Sequence, residues 1–234
     1  MNKLAVVTGA TKGIGRAVVE RFADAGFDVA ISARTEADLL QLKKEVEAKY
    51  SGQAFIKAIN MADTRQVKDF CTYVKSFDRP IEVLVNNAGH FIPGKIIEEE
   101  DTALESMIHS NLYSAYHTTR GLVSNMIKNK RGAIFNMCSI ASFTAYKNGG
   151  SYAIAKFGLL GFSKCLREEL KEHGIRVTAV MPGATYTGSW AGSNLPEERF
   201  MRPEDVAEAI FNAYSLSDRS VVEEIIIRPQ LGDI

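Results

Sequence analysis

Short apolar runs alternate with stretches of helical periodicity along the chain. The runs predict strands, and they cover residues 4–8, 28–33, 53–58, 82–86, 133–137, 176–181 and 223–228. Between them, apolar side chains recur at helical spacing, which predicts helices at 13–25, 35–50, 63–77, about 101–129, about 151–173 and from about Pro203. Thr35 and Asp63 stand where helix N-caps are expected.

Strands separated by helices need crossover connections, and crossovers join parallel strands. We therefore expect an α/β fold, with a doubly wound (Rossmann) parallel sheet of seven strands and helices on both faces. A length of 234 residues fits one domain, 1–234. The irregular stretch at 183–202 lies between the sixth predicted strand and the last predicted helix.

A glycine-rich turn follows the first predicted strand and opens the first helix. Its spacing is Gly9-x-x-x-Gly13-x-Gly15. Glycine is needed where backbone turns sharply and approaches a pyrophosphate closely, and a helix N-terminus offers unpaired N–H groups to phosphates. The turn therefore predicts a dinucleotide site, although an ordinary turn after a strand remains the alternative.

The end of the second predicted strand indicates which dinucleotide binds. An acidic residue there selects NAD, whereas a basic residue accommodates the 2′-phosphate of NADP. Arg34 stands at this position, and Glu36 and Asp38 come later, in the first turn of a helix where acids are favoured anyway. Lys12 projects from the glycine turn. Two cations at one corner predict NADP(H), against the alternative that both are solvated surface charges.

Tyr152 and Lys156 are four residues apart on a predicted helix, and Ser139 lies thirteen residues upstream of Tyr152. Positions i and i+4 share a helix face, so the two heads can reach one site. A phenol is a weak acid at neutral pH, and a nearby ammonium is expected to lower its pKa. The trio therefore predicts a proton donor, with Ser139 holding a substrate carbonyl. Ser139 as a plain turn or cap residue is the alternative.

With Asn86-Asn87-Ala88-Gly89 after the fourth strand, these segments resemble the short-chain dehydrogenase/reductase family from the first strand to at least Thr187. The resemblance implies an NADP-dependent oxidoreductase with a catalytic set of Asn111, Ser139, Tyr152 and Lys156. The cofactor-binding positions that we expect are Thr8, Gly9, Thr11, Lys12, Gly13, Ile14, Gly15, Arg34, Asn60, Met61, Asn87, Ala88, Gly89, Asn111, Tyr152, Lys156, Pro182, Gly183, Thr185 and Thr187.

Composition narrows the class of protein. The 28 basic residues balance 28 acidic ones, which argues against a nucleic acid or an anionic membrane as partner. Three unclustered cysteines fit a reducing compartment and no metal site. The first strand begins almost at the start of the sequence, and no apolar run reaches the length of a membrane span. We therefore expect a soluble cytoplasmic protein.

Two departures from the family pattern bear on the substrate. Asn60 stands where an Asp is common, and the chain lacks the glycine-rich tail that is usual in 3-oxoacyl-carrier-protein reductases. The ending resembles the sepiapterin-reductase-like and small carbonyl-reductase branches instead. A ketone or aldehyde reductase is thus favoured over a carrier-protein reductase, and the intact catalytic set disfavours a non-catalytic NADP-binding sensor or scaffold.

The stretch 183–202 carries Tyr186, Trp190, Leu195 and Phe200 among small residues. It predicts either a mobile lid over an apolar or aromatic substrate or a surface loop whose aromatics pack on the body. The predicted helix from Ser151 has more apolar surface than one packed face requires. The excess predicts a helix-pairing interface in a homodimer or homotetramer.

Overall fold

The computed structural model describes residues 2–190 and 193–234. The strands are β1 (Leu4–Thr8), β2 (Asp28–Ala33), β3 (Ala54–Ala58), β4 (Ile81–Asn86), β5 (Gly132–Met137), β6 (Ile175–Pro182) and β7 (Glu224–Ile227). All pair in parallel, in the order β3-β2-β1-β4-β5-β6-β7. The predicted doubly wound sheet is confirmed, and each strand end lies within one residue of its predicted position.

The helices are α1 (Gly13–Asp24), α2 (Glu36–Lys49), α3 (Thr64–Lys75), α4 (Ala103–Ile108), α5 (Ser114–Asn129), α6 (Gly150–Leu170) and α7 (Pro203–Ser215). The single helix predicted at 101–129 is interrupted by a π-helical turn, His109–Tyr113. Asp63 caps α3 by accepting from the backbone N–H groups of Arg65 and Gln66. Thr35 occupies the N-cap position of α2 as predicted, although its side chain makes no capping hydrogen bond to any described residue.

Alternation along the central strands divides the core between the two faces of the sheet. In β1, Ala5 and Val7 point to one face, and Leu4 and Val6 point to the other. The first face is covered by α1, α2 and α7, and the second by α3, α5 and α6, through their buried side chains. Strands buried on both faces read as continuous apolar runs, which explains why the sequence pattern was so clear.

The chain reverses direction across the sheet between β1 and β4. From β1, the next strands β2 and β3 lie on one side, whereas β4 to β7 lie on the other. The carboxyl ends of β1 and β4 therefore lie at the point where the strand order reverses, and the crevice at this edge is where open α/β sheets bind ligands. Within the described residues, no helix has both the length and the apolar character that crossing a membrane would require.

Candidate active site

The turn between β1 and α1 needs its glycines. Gly9 and Gly13 have φ angles of 65° and 53°, in the left-handed region that disfavours side chains. A Cβ added to Gly15 would lie 2.2 Å from the carbonyl oxygen of Gly9. The turn can be this tight only without these side chains, and it brings backbone N–H groups to the crevice edge.

The amino end of α1 suits an anion. Its first turn holds no acidic residue, and no described side chain caps it. Its first N–H groups and partial positive charge are therefore available to an anion at the end of β1. The side chain of Thr187 reaches this turn, since a Cβ on Gly13 would lie 2.9 Å from the Thr187 methyl carbon.

Asn87 ties the end of β4 to the glycine turn. Its Nδ2 donates to the carbonyl oxygens of Thr8 and Gly9 at 3.0 and 2.8 Å. In return, Thr8 Oγ1 accepts from the N–H groups of Asn87 and Ala88 at 3.1 and 3.0 Å. The structure thus brings these predicted cofactor residues together, and Asn87 acts on the turn through hydrogen bonds to its backbone.

The π-helical turn aims Asn111 into the crevice. Its Nδ2 donates to the carbonyl oxygens of His90 and Met107 at 3.0 and 3.2 Å. Its Oδ1 is buried and has no hydrogen-bond partner among the described residues. A Cβ on Gly89 would lie 2.4 Å from this oxygen and 3.7 Å from Lys156 Nζ, so the acceptor and the lysine share one small space. Such π-turns are frequent at functional sites.

Ser139 follows β5 and serves two purposes. Its Oγ accepts from the N–H of Ala141 at 3.1 Å, as a cap of the short helical turn Ile140–Ser142. The same hydroxyl also acts on Tyr152, since it opposes the effect of burial on the pKa of the phenol. The capping alternative for Ser139 is therefore correct for its backbone role, and it coexists with a contact to Tyr152.

Burial determines the direction in which the pKa values of Tyr152 and Lys156 on α6 are shifted. It raises the pKa of the Tyr152 phenol far above its ordinary value, and the hydrogen bond from Ser139 only opposes this in part. Burial also lowers the pKa of Lys156 to about 8. Lys156 Nζ lies 5.5 Å from the Tyr152 ring centroid and donates to the carbonyl oxygen of Met137 at 2.7 Å. The prediction that the ammonium lowers the pKa of the phenol is therefore wrong, because desolvation has the larger effect on that pKa.

Phe91 packs edge-on against the Tyr152 ring, with centroids 4.9 Å apart. The neighbouring His90 has its pKa lowered by burial and further by the charges of Arg34 and Lys156. Cys138 is buried, and burial raises the pKa of its thiol to about 11, so it behaves as a small apolar residue.

The two cations expected at the adenosine end differ in environment. Arg34 is exposed at the end of β2 and has no ion-pair partner in the described part of the chain. Lys12 pairs with Asp38 at 3.4 Å, although its side chain is 80% exposed. Asn60 uses its Oδ1 to accept from the N–H of Ala62 at 3.1 Å, and Met61 is buried.

Pro182 ends β6, and Gly183, Thr185 and Thr187 follow it along the crevice. Thr185 Oγ1 donates to the carbonyl oxygen of Gly183 at 3.1 Å. In the segment predicted as a lid, the rings of Tyr186 and Trp190 lie 5.8 and 5.1 Å from that of Phe200. Ala191 and Gly192 of this segment lie outside the described residues. These contacts join three rings of the segment to one another, and both the mobile lid and the surface loop whose aromatics pack on the body stay predictions.

The carboxyl-terminal tail was missed by the sequence reasoning as part of this region. A Cβ on Gly183 would lie 3.1 Å from Pro229 Cδ and 3.2 Å from a carboxylate oxygen of Asp233. Arg228 pairs with Asp233 at 3.3 Å and stands over the ring of Phe143 at 5.8 Å. The departure from a glycine-rich tail was visible in the sequence, but nothing in a single sequence places a tail against a distant loop.

Comparisons with known proteins agree with this geometry. The sequence model of the family described as short chain dehydrogenase matches residues 3–198. Sepiapterin reductase of Chlorobaculum tepidum is 33% identical over 100% of this chain and 99% of its own length. A 3-oxoacyl-acyl-carrier-protein reductase of Haemophilus influenzae is 31% identical over 92% of this chain and 91% of its own.

A solved structure of a metagenomic short-chain oxidoreductase in complex with NADP superimposes with a TM-score of 0.84 at 30% identity, covering 97% of both chains. The match in sequence and the match in fold therefore extend over the glycine turn, the crevice and α6 alike. The chain belongs to the short-chain dehydrogenase family.

Proposed function

We propose that this oxidoreductase interconverts a carbonyl compound, a ketone or an aldehyde, and the corresponding alcohol with NADP(H). The observation that carries the proposal is the convergence of Ser139, Tyr152, Lys156 and Asn111 at the carboxyl edge of the sheet beside the glycine turn. A proton donor, a hydroxyl and a cation around one small space suit the conversion of a carbonyl oxygen into a hydroxyl.

The residues present fit a dinucleotide. Gly9, Gly13 and Gly15 leave a cradle that a Cβ would fill, and the first turn of α1 has no acid to repel a phosphate. The buried Oδ1 of Asn111 is an acceptor without a partner among the described residues. The glycine turn and α1 would hold the pyrophosphate, the end of β2 the adenosine, and Lys156 with the 182–187 segment the nicotinamide end. When bound, the reduced nicotinamide supplies hydride.

In the reduction that we propose, Ser139 donates a hydrogen bond to the carbonyl oxygen and fixes its position. Tyr152 transfers its phenolic proton to that oxygen as negative charge develops there. The raised pKa of Tyr152 keeps this donor protonated at neutral pH. Lys156 supplies positive charge beside the phenolate that remains. Asn111 Oδ1 accepts a hydrogen bond from the donor that returns the proton to Tyr152.

NADP(H) is favoured over NAD(H) by the charges at the adenosine end. Arg34 is exposed and lacks an ion-pair partner among the described residues, and its charge contributes to lowering the pKa of His90, which follows Gly89 after β4. Its guanidinium suits the 2′-phosphate. The solved relative that contains NADP supports the same choice.

An apolar or aromatic carbonyl compound is the substrate class that the crevice supports. Phe91, Phe143 and Tyr186 lie around it or on its adjoining loops, and the tail covers Gly183. The carrier-protein alternative gains support from relatives that are 3-oxoacyl-carrier-protein reductases, but this chain lacks the glycine-rich tail. NADPH oxidation with aromatic diketones, sepiapterin and acetoacetyl thioesters separates these substrates.

The decisive variant is Tyr152→Phe, which removes only the hydroxyl. We expect turnover to fall by at least about a hundredfold, while the dissociation constant for NADPH, measured by fluorescence, stays within about twofold. Tyr73→Phe on α3 is the matched control, since Tyr73 packs on Phe77 away from the crevice. Wild-type turnover in Tyr152→Phe would refute the role of the phenol and, with it, this function.

We further propose that the protein forms a homodimer or a homotetramer in the cytoplasm. Ile154 and Phe157 are apolar and exposed on α6, which fits a helix-pairing face, and the free cysteines fit a reducing compartment. Sedimentation of wild type and Phe157→Asp tests the assembly. A monomeric wild type would contradict it, whereas a dimer that Phe157→Asp dissociates would support this face.

A further inference from the structure

Helix α6 carries Tyr152 in its first turn but has no cap from its own sequence. Gly149 occupies the N-cap position and has no side chain to offer. The first N–H groups of a helix lack intrahelical partners, and helix ends fray when those groups are left unsatisfied. The position of the Tyr152 phenol is therefore only as well defined as the conformation of the first turn of α6.

The missing cap comes from a distant loop. Glu99 lies between β4 and α4, and its carboxylate oxygens accept from the N–H of Ser151 at 3.0 and 3.3 Å. The Ser151 hydroxyl also donates to this carboxylate, and the Ser151 side chain is buried. A negative charge at a helix amino end is favourable in itself, so one side chain satisfies the N–H group, the hydroxyl and the helix dipole.

The approach is close because Gly150 has no side chain. Its φ is 39°, and a Cβ there would lie 2.0 Å from Glu99 Oε1 and 2.6 Å from the Gly94 carbonyl oxygen. Gly94 N–H donates to the carbonyl oxygen of Asn148 at 3.0 Å, so the loop is joined both to the segment before α6 and to its first turn.

The same loop also touches Tyr152 from the other side. Its first residues include Phe91, whose ring packs edge-on against the phenol ring at 4.9 Å between centroids. The loop therefore contacts Tyr152 directly through Phe91 and holds the turn that bears Tyr152 through Glu99.

We propose that Glu99 is a positioning residue for Tyr152, acting through its cap on Ser151. The inference rests on the proposed role of Tyr152 as proton donor. The carboxylate fixes the first turn of α6, and this fixes the direction in which the phenol presents its proton to the substrate. Small displacements of a reacting group reduce rates strongly, so loss of the cap lowers the rate of the chemical step more than it lowers nucleotide binding.

The test compares Glu99→Gln with Glu100→Gln, a matched control on the same loop whose side chain is exposed. Glutamine keeps the size of Glu99 but removes its charge and one acceptor. We expect kcat for carbonyl reduction to fall about tenfold in Glu99→Gln, with the dissociation constant for NADPH unchanged and the control like wild type. Ser151→Ala removes the hydroxyl but keeps the N–H, so kcat should fall less in this variant than in Glu99→Gln.

Hydrogen exchange provides a readout that does not depend on activity. In Glu99→Gln the Ser151 amide should exchange faster, while core amides such as that of Val83 in β4 keep their wild-type protection. Glu99→Asp, which keeps the charge, should recover part of kcat. If Glu99→Gln does not fold, Glu99→Asp and Ser151→Ala carry the same comparison, with intermediate losses expected.

Wild-type kcat in Glu99→Gln, or an equal loss in Glu100→Gln, would overturn the inference. Unchanged exchange at Ser151 would also overturn it, because the cap would then not hold the turn. These outcomes differ from failure of the proposed function, which is recognised by turnover in Tyr152→Phe. An inactive Tyr152→Phe together with a fully active Glu99→Gln refutes the role of Glu99 alone.

Discussion

Lys156 Nζ donates to the carbonyl oxygen of Met137 at 2.7 Å, so the helix that carries the candidate proton donor is joined to the end of β5. The bond holds a buried ammonium beside the Tyr152 ring. A single carbonyl does not replace the lost hydration, and the pKa of Lys156 falls to about 8. The charge that we propose to stabilise the phenolate is therefore close to titrating at physiological pH.

The first prediction concerns this titration. Because burial lowers the pKa of Lys156 to about 8, its ammonium is present below that pH and lost above it. We expect kcat/KM for carbonyl reduction at saturating NADPH to fall as pH rises through about 8. In Lys156→Arg the cation persists to much higher pH, so this inflection should disappear even if the absolute rate is lower.

Lys164→Arg is the matched control, since Lys164 is on the same helix but exposed and paired with Glu224. Its pH profile should match that of wild type. The linked effect on stability has the opposite direction: the folded pKa lies below the unfolded value of about 10.4, so this group adds stability as pH rises from about 8 towards that value. An inflection near pH 8 that persists in Lys156→Arg would assign the titration to another group.

The second prediction compares two glycines in helices. In Gly15→Ala the new Cβ would lie 2.2 Å from the Gly9 carbonyl oxygen, so the turn must shift. We expect a loss of about 2 kcal/mol in unfolding free energy and at least about tenfold weaker NADPH binding. Gly161→Ala on α6 meets nothing within 4 Å among the described residues of its own chain, although it shares a helix face with Phe157, and it should raise the free energy of unfolding of the protomer by about 0.5–1 kcal/mol.

Urea unfolding and fluorescence titration with NADPH measure both effects. The comparison separates the loss of a tight turn from the general effect of adding a methyl group to a helix. Gly15→Ala with normal NADPH affinity would show that the close approach to Gly9 is not what the nucleotide site requires.

Particular residues show which features of the fold and the candidate site could be predicted from the sequence. Strand ends were predictable because residues such as Val6 and Val83 are buried between two helical layers, which forces uninterrupted apolar runs. The positions of Ser139, Tyr152 and Lys156 followed from the order of strands and from helical spacing. The pKa of Tyr152 did not, because spacing says nothing about desolvation.

Contacts between segments that are distant along the chain could not be predicted from sequence patterns. Glu99 is one of four consecutive acidic residues at 98–101, and its bond to Ser151 spans 52 residues. Asp28 likewise looked like an ordinary residue at the start of a strand, although three partners surround its carboxylate. Such bonds depend on loop paths that a single sequence does not encode in any local periodicity.

The third prediction concerns the buried pair of Asp28 and Arg79, whose atoms approach to 2.8 Å at the amino edge of the sheet. Burial alone would raise the pKa of Asp28, but hydrogen bonds from the Gln53 N–H, Arg79 and Asn2, with the charge of Arg79, outweigh it and lower the pKa. Asp28→Asn leaves the guanidinium unpaired and should cost about 3 kcal/mol at pH 7.

The sign of the pH dependence follows from the lowered pKa. Asp28 stabilises the fold above its unfolded pKa of about 3.9, and this contribution is lost as pH falls through the lower folded value. The difference between wild type and Asp28→Asn in urea unfolding should therefore shrink below about pH 4. The exposed pair of Asp205 and Arg202 supplies the control, where Asp205→Asn should cost about 0.5 kcal/mol or less. A difference that stays constant down to acid pH would assign the cost to packing alone.

The last prediction concerns nucleotide choice and uses the unequal situations of Arg34 and Lys12. Arg34 has no ion-pair partner among residues 2–190 and 193–234, whereas Lys12 already pairs with Asp38. Arg34→Ala should weaken NADPH binding by about ten- to a hundredfold, the range for a lost charged hydrogen bond. Lys12→Ala should weaken it by only about two- to threefold, because an exposed, shared ammonium contributes little.

Titrations with NADPH and NADH at one salt concentration separate the two roles. Neither variant should alter NADH affinity by more than about twofold, since the proposed contact is to the 2′-phosphate. Asp38→Asn releases Lys12 from its partner and should tighten NADPH binding slightly. This change is opposite in direction to the weaker binding expected for Lys12→Ala. If Arg34→Ala weakened both nucleotides equally, the guanidinium would be acting on a part that they share, and selectivity for NADP would have to arise elsewhere in the crevice.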